Sequence, residues 1–179
     1  MLMLLNAVFE GNKLTESPKV FRLRYREGLF SAISAGCFLL LIGVIFIITP
    51  DLFSKIEAFV RNFEMMSIPH VENVFLPAPA TPAVHSVVYK ALWEFSLVWG
   101  FFEIFILAFR FVAGSPFGKK AETAANMVFW FGTAYLISTF LNETTTIEKW
   151  FAFWAAIIML IGVSLIVRAI ILAARVAIS

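Results

Sequence analysis

Charged residues, histidine and cysteine are all scarce in this chain of 179 residues. Charged residues make up 15% and hydrophobic residues 61%, whereas a soluble domain is about 25% charged. The single cysteine excludes an intrachain disulfide, and two histidines, neither on a predicted span, leave little for haem ligation or a Ser-His-Asp site. A formal net charge of +2 gives no reason to expect a nucleic-acid partner. The composition indicates a membrane protein without an evident catalytic set or cofactor.

Long apolar runs predict four transmembrane helices. The first run, from Gly28 to Pro50, contains no charged residue at all. A helix rises about 1.5 Å per residue, so about 20 apolar residues cross the hydrocarbon core. The predicted spans cover about residues 29–49, 91–113, 123–141 and 150–174. We therefore expect an all-α membrane protein whose residues 1–179 form a single polytopic domain.

The segment between the first two spans carries a different pattern. Apolar residues recur at helical spacing on one side of residues 51–66, and charged residues occupy the other side. This pattern predicts an amphipathic helix lying in the outer membrane interface, or one that caps the outer end of a helical bundle, and the sequence does not distinguish the two. Residues 67–81 are rich in proline and predict an extended extracytoplasmic loop.

The positions of the basic residues predict the orientation. With the N-terminus inside, ten lysines and arginines fall in inner segments and four in outer segments, which together are the 14 of the chain. The positive-inside rule then places both termini in the cytoplasm of a cell membrane. Lys19, Arg22 and Arg26 share one face of a predicted helix before the first span. They are expected to contact lipid headgroups.

The second span contains the least expected residue of the chain, Glu103. A charge at the centre of a membrane helix costs about 2.5–3.5 kcal/mol on insertion scales, so such a group normally faces protein or water. Ser96, Gly100, Glu103 and Arg110 lie near one face of this helix. Arg168 is expected at a depth similar to that of Arg110. These five residues are the candidates for a pathway or an intramembrane polar network.

Two functions fit these features. The first is a homo-oligomeric ion channel or transport protein in which Glu103 attracts a cation or accepts a proton. The second is a non-catalytic accessory or structural subunit of a larger membrane complex, in which Glu103 is structural and neutral or paired with Arg168. Membrane lipids and either further copies or other membrane subunits are the expected partners.

A metal site is not expected. His70, Glu72 and His85 lie in or beside the predicted outer loop, but their spacing does not repeat as zinc ligands usually do. Solvated loop histidines are the simpler interpretation.

Overall fold

The structure is a computed structural model that describes residues 18–69 and 73–178. The chain divides into two compact units, Met1–Cys37 and Phe38–Ser179. Helix α1 (Pro18–Ile48) runs across this division, and its first part is all that is described of the first unit. The second unit then contains helix α2 (Leu52–Arg61), strands β1 (Phe63–Ser67) and β2 (Phe75–Pro79), a 3-10 turn (Pro82–His85), and helices α3 (Ser86–Val112), α4 (Phe117–Phe140) and α5 (Ile147–Ile178).

Within residues 18–69 and 73–178, three helical segments are long and apolar enough to cross a membrane. They are Glu27–Ile48, Pro82–Val112 and Ile147–Arg175. They overlap the first, second and fourth predicted spans, and the many large apolar side chains exposed on them suit contact with lipid. The chain is therefore a mostly helical protein suited to a membrane. The third predicted span coincides with helix α4, which begins with a more polar turn containing Lys119 and Lys120.

Helices α3, α4 and α5 form an antiparallel bundle in which α4 packs against both α3 and α5. Gly100 of α3 lies beside Phe131 of α4, and Gly132 of α4 lies beside Leu160 of α5. The turn between α3 and α4 contains Gly114 at a φ of 66°, a conformation in which a side chain would be strained. We call this the Gly114 end of the bundle and the opposite end, where β1 and β2 lie, the hairpin end.

The helix predicted over residues 51–66 is shorter in the structure. Helix α2 ends at Arg61, and strand β1 pairs antiparallel with β2, so that Phe63 lies opposite Pro79 and Ser67 opposite Phe75. The fold is thus not purely helical. The correction has a physical reason: Phe75–Pro79 contains prolines that cannot continue a helix, and pairing with this extended segment satisfies backbone groups of β1.

Helix α2 and the hairpin cap the hairpin end of the bundle. The Phe59 ring of α2 packs edge-on against Tyr89 of α3 at 5.9 Å and against Trp150 of α5 at 6.0 Å, measured between ring centroids. Phe63 of β1 also packs against Trp150, at 5.8 Å. The buried core at this end consists of Ala78, Tyr89, Ile137, Leu141, Trp150 and Phe153. Of the two sequence interpretations of this helix, these contacts favour the capping one.

Hydrogen bonds of Asn62 connect this cap to the start of helix α3. Its side-chain Oδ1 accepts hydrogen bonds from Thr81 N at 3.0 Å and Thr81 Oγ1 at 3.2 Å, and lies 3.0 Å from His85 Nε2. Its backbone oxygen accepts a hydrogen bond from Ala80 N at 2.8 Å. One residue thereby joins the end of α2 to the start of the third helix. His85 is buried here, which corrects the expectation of a solvated loop histidine. His70 and Glu72 lie outside the described residues.

We expect Asn62→Ala to loosen the cap while the bundle stays folded. The substitution removes the acceptor of the contacts from Thr81, which is exposed, and from His85, which is buried, and each such hydrogen bond contributes about 0.5–1.5 kcal/mol. Hydrogen exchange at Ala80 and Thr81 should accelerate about tenfold or more, since 1.4 kcal/mol corresponds to a factor of ten. Asn62→Asp keeps the acceptor oxygens and serves as the control. Equal exchange in Asn62→Ala and the wild type would show that Asn62 does not fasten the cap.

Candidate functional site

The polar face of α3 points into the bundle. Ser96 is completely buried, and its Oγ donates to Leu92 O at 2.8 Å, within its own helix. Gly100 meets α4 closely, because a Cβ atom added there would lie 3.2 Å from the Phe131 ring. Small side chains at these positions let the backbones of α3 and α4 approach, which is the usual basis of helix packing in lipid. The face that was a candidate pathway is therefore a helix interface.

Glu103 lies on the same face, with 8% of its surface exposed. The Asn126 amide and the Trp99 indole N–H lie within reach of its carboxyl group as donors. The charge of Arg110 attracts this carboxyl, whereas the charge of Glu122 repels it. Partners from both α3 and α4 therefore compensate the buried carboxyl, which is what a polar group needs within a membrane.

Arg110 closes the Gly114 end of the same interface. Its Nη1 donates to Lys119 O at 2.6 Å and to Thr123 Oγ1 at 2.8 Å. Thr123 Oγ1 donates in turn to Lys119 O at 3.0 Å, and Thr123 is almost completely buried. The arginine thus bridges the last turn of α3 to the first turns of α4. We call Glu103, Asn126, Trp99, Arg110 and Thr123 the α3–α4 polar network.

Arg168 does not join this network. It lies at an exposed position of α5, and within the described residues no ion pair connects it to Glu103. The sequence hypothesis that these two residues pair is therefore not what the structure shows. The side chains of Lys19, Arg22 and Arg26, the expected lipid contacts, lie outside the described residues.

Sequence reasoning placed Ser96, Gly100, Glu103 and Arg110 near one face but did not find their partners on α4. Asn126 is an amide in an apolar helix, and such a residue usually has a partner inside the protein. This rule could have marked Asn126 as a residue with a partner inside the protein. The position of Asn126 along the chain does not indicate which helix that partner belongs to.

Cavities in the described part of the chain lie at the hairpin end and beside α2. One cavity, of about 710 Å³, lies at the hairpin end and is lined by α3, by α4 and by the turn that follows α4. Another, of about 180 Å³, is apolar and lies between the ends of α1 and α2 and the side of α3. Glu103 lines neither. Among residues 18–69 and 73–178, no three His, Cys, Asp or Glu side chains are grouped as metal ligands.

Comparison with known proteins gives no relative from which a function could be transferred: no family model, no curated protein and no solved structure matches the chain.

Proposed function

We propose that this protein is a non-catalytic accessory or structural subunit of a larger membrane complex. The observation that carries the proposal is the burial of the α3 polar face against α4. A residue that conducts an ion must meet water or the ion, whereas Glu103 is buried and its carboxyl group lies within reach of Asn126 and Trp99 of its own chain. The network then serves to hold two helices together.

The proposal includes four spans in the cell membrane. Helix α4 packs side by side with both α3 and α5, so if those two helices cross the bilayer, α4 crosses between them. The short turns at residues 113–116 and 141–146 support this arrangement. The first helix supplies the fourth span.

Orientation follows from the basic residues at the Gly114 end. Lys120 Nζ lies 4.4 Å from the centre of the Phe111 ring, and the Arg175 guanidinium lies 5.3 Å from that of Phe117. Arg110 and Lys119 lie at this end too. The positive-inside rule favours the cytoplasm for this end, and the proposal assigns both chain termini to the cytoplasm as well.

In this arrangement the cap is extracytoplasmic and supplies the docking surface for a second membrane subunit. Several of its large apolar side chains point away from the bundle. They are Phe53, Val60, Met65, Phe75 and Leu76. An exposed apolar group of this kind outside the spans suits either a protein contact or the membrane interface. The proposal assigns Phe75 and Leu76 of the hairpin to the protein contact.

A photoreactive amino acid placed at position 75 tests the proposal in native membranes. We expect an adduct of one discrete mass that contains a different membrane polypeptide, identified by mass spectrometry. The matched control is the same amino acid at Ile158, which is 70% exposed on the apolar surface of α5 and should react with lipid only. An adduct of two copies of this chain, together with ion flux through vesicles of the purified protein, would instead support the homo-oligomeric channel and overturn the accessory role.

A further inference from the structure

The cavity of about 710 Å³ at the hairpin end has the chemistry of a binding site for an amphiphile. It is a groove between the first turns of α3 and the residues that end α4 and follow it. Trp93 and Ile137 contribute apolar surface, and Lys90 and Glu143 contribute opposite charges. None of these residues belongs to the α3–α4 polar network, so the groove does not depend on the proposed function.

The charges of the groove are available to a ligand. The Lys90 side chain is 73% exposed, and its Nζ lies 4.0 Å from Glu94 Oε1, at the limit of an ion pair. That loose contact leaves ammonium donors for another partner. Glu143 is exposed and has no ion-pair partner among the described residues. Ser86 and Thr144 line the same groove. The Thr144 hydroxyl already donates to Asn142 Oδ1 at 2.6 Å and accepts from Lys149 Nζ at 2.9 Å, so Ser86 is the hydroxyl residue considered for the ligand.

We propose that this groove binds a phospholipid whose headgroup is zwitterionic and ends in a primary ammonium. The phosphate binds Lys90 and Ser86, because an ammonium ion and a hydroxyl group both donate to phosphate oxygens. The lipid ammonium donates to the Glu143 carboxylate. A hydrocarbon chain lies along Trp93 and Ile137, and tryptophan suits this depth because its indole has both an apolar body and a polar N–H.

The pair of opposite charges distinguishes this lipid from others. A purely anionic headgroup gains from Lys90 but is repelled by Glu143. A quaternary ammonium has no N–H to donate to the carboxylate, so a choline headgroup gains less from Glu143. The groove therefore selects phosphatidylethanolamine over phosphatidylglycerol and phosphatidylcholine.

Native mass spectrometry of the purified protein, equilibrated in turn with vesicles of each of these three lipids, tests the proposal. We expect phosphatidylethanolamine to be retained with one copy per chain, and Lys90→Gln and Glu143→Gln each to weaken its retention about tenfold, the effect of 1.4 kcal/mol. Both positions are exposed, so the fold should survive. Lys55→Gln removes an exposed charge from α2, outside the groove, and should change nothing.

Three results would overturn the proposal. The first is retention unchanged in both groove variants. The second is an equal loss in Lys55→Gln, which would indicate unspecific lipid around the protein. The third is phosphatidylglycerol retained better than phosphatidylethanolamine, with Glu143→Gln increasing its retention, which would make the groove a site for anionic lipid.

Discussion

Replacing Glu103 with leucine is expected to lower the free energy of unfolding of the bundle by about 1–3 kcal/mol. The Asn126 amide and the Trp99 indole lose their shared partner, and a membrane interior supplies no water to replace it. Leucine fills a similar volume and is compatible with lipid, so the loss reports the missing hydrogen bonds. Unfolding of the purified protein in mixed micelles, followed by tryptophan fluorescence, measures the change.

The controls separate hydrogen bonding from charge. Glu103→Gln keeps an acceptor oxygen and should cost less than about 1 kcal/mol, the net value of a typical hydrogen bond. In a double-mutant cycle, Glu103→Leu and Asn126→Leu together should cost clearly less than the sum of the single substitutions, because both remove the same contact. Additive losses, or a Glu103→Leu variant as stable as the wild type, would refute the assignment of Glu103 to the α3–α4 polar network.

The second large effect is expected at the interface of α4 and α5. A Cβ atom added at Gly132 would lie 2.8 Å from Leu160 Cδ2, closer than real contacts allow. Alanine forces only the flexible end of Leu160 to move, whereas Gly132→Leu forces the helices apart. Overpacking of this kind typically costs about 1–3 kcal/mol. The same micelle unfolding measurement checks the prediction.

Gly162→Leu on α5 is the matched control, because nothing lies within 4 Å of a Cβ atom added there. Its stability should equal that of the wild type or slightly exceed it, since glycine is a poor helix former. If Gly132→Leu and Gly162→Leu behaved alike, close packing of α4 on α5 at this point would be excluded.

The helices could largely be predicted from the sequence, because long apolar runs and the glycine or proline residues that end them are local signals. The charge-free run from Gly28 to Pro50 coincides with the second part of α1, and the stop at Gly114 coincides with the turn after α3. The hairpin could not be predicted, because strand β1 exists only through its pairing with β2. The helical spacing of apolar residues continued past Arg61, and tertiary contacts overrode it.

The sequence predicted which residues of α3 share a face in the candidate site, but not which residues they contact. Helical spacing placed Ser96, Gly100 and Glu103 near one face, and all three are buried on α3. Spacing along one helix does not indicate what that face meets, so neither Asn126 as a partner nor the exposed position of Arg168 could be read from it. His85 was misjudged similarly, because its burial depends on Asn62, which is 23 residues away.

The most direct test of the central claim, that the α3 polar face is a helix interface and not a water-filled pathway, is thiol accessibility. The only cysteine can be replaced by Cys37→Ser, after which Ser96→Cys reports on the face, Met65→Cys on the exposed hairpin and Ile158→Cys on the lipid-facing surface. With a charged thiol reagent in intact vesicles, we predict rapid modification at position 65. Modification at position 96 should be slower by a factor of about 100 or more, because the reaction there requires local opening of the structure. The rate at position 96 should resemble that at position 158. Modification at position 96 as fast as at position 65 would contradict the account.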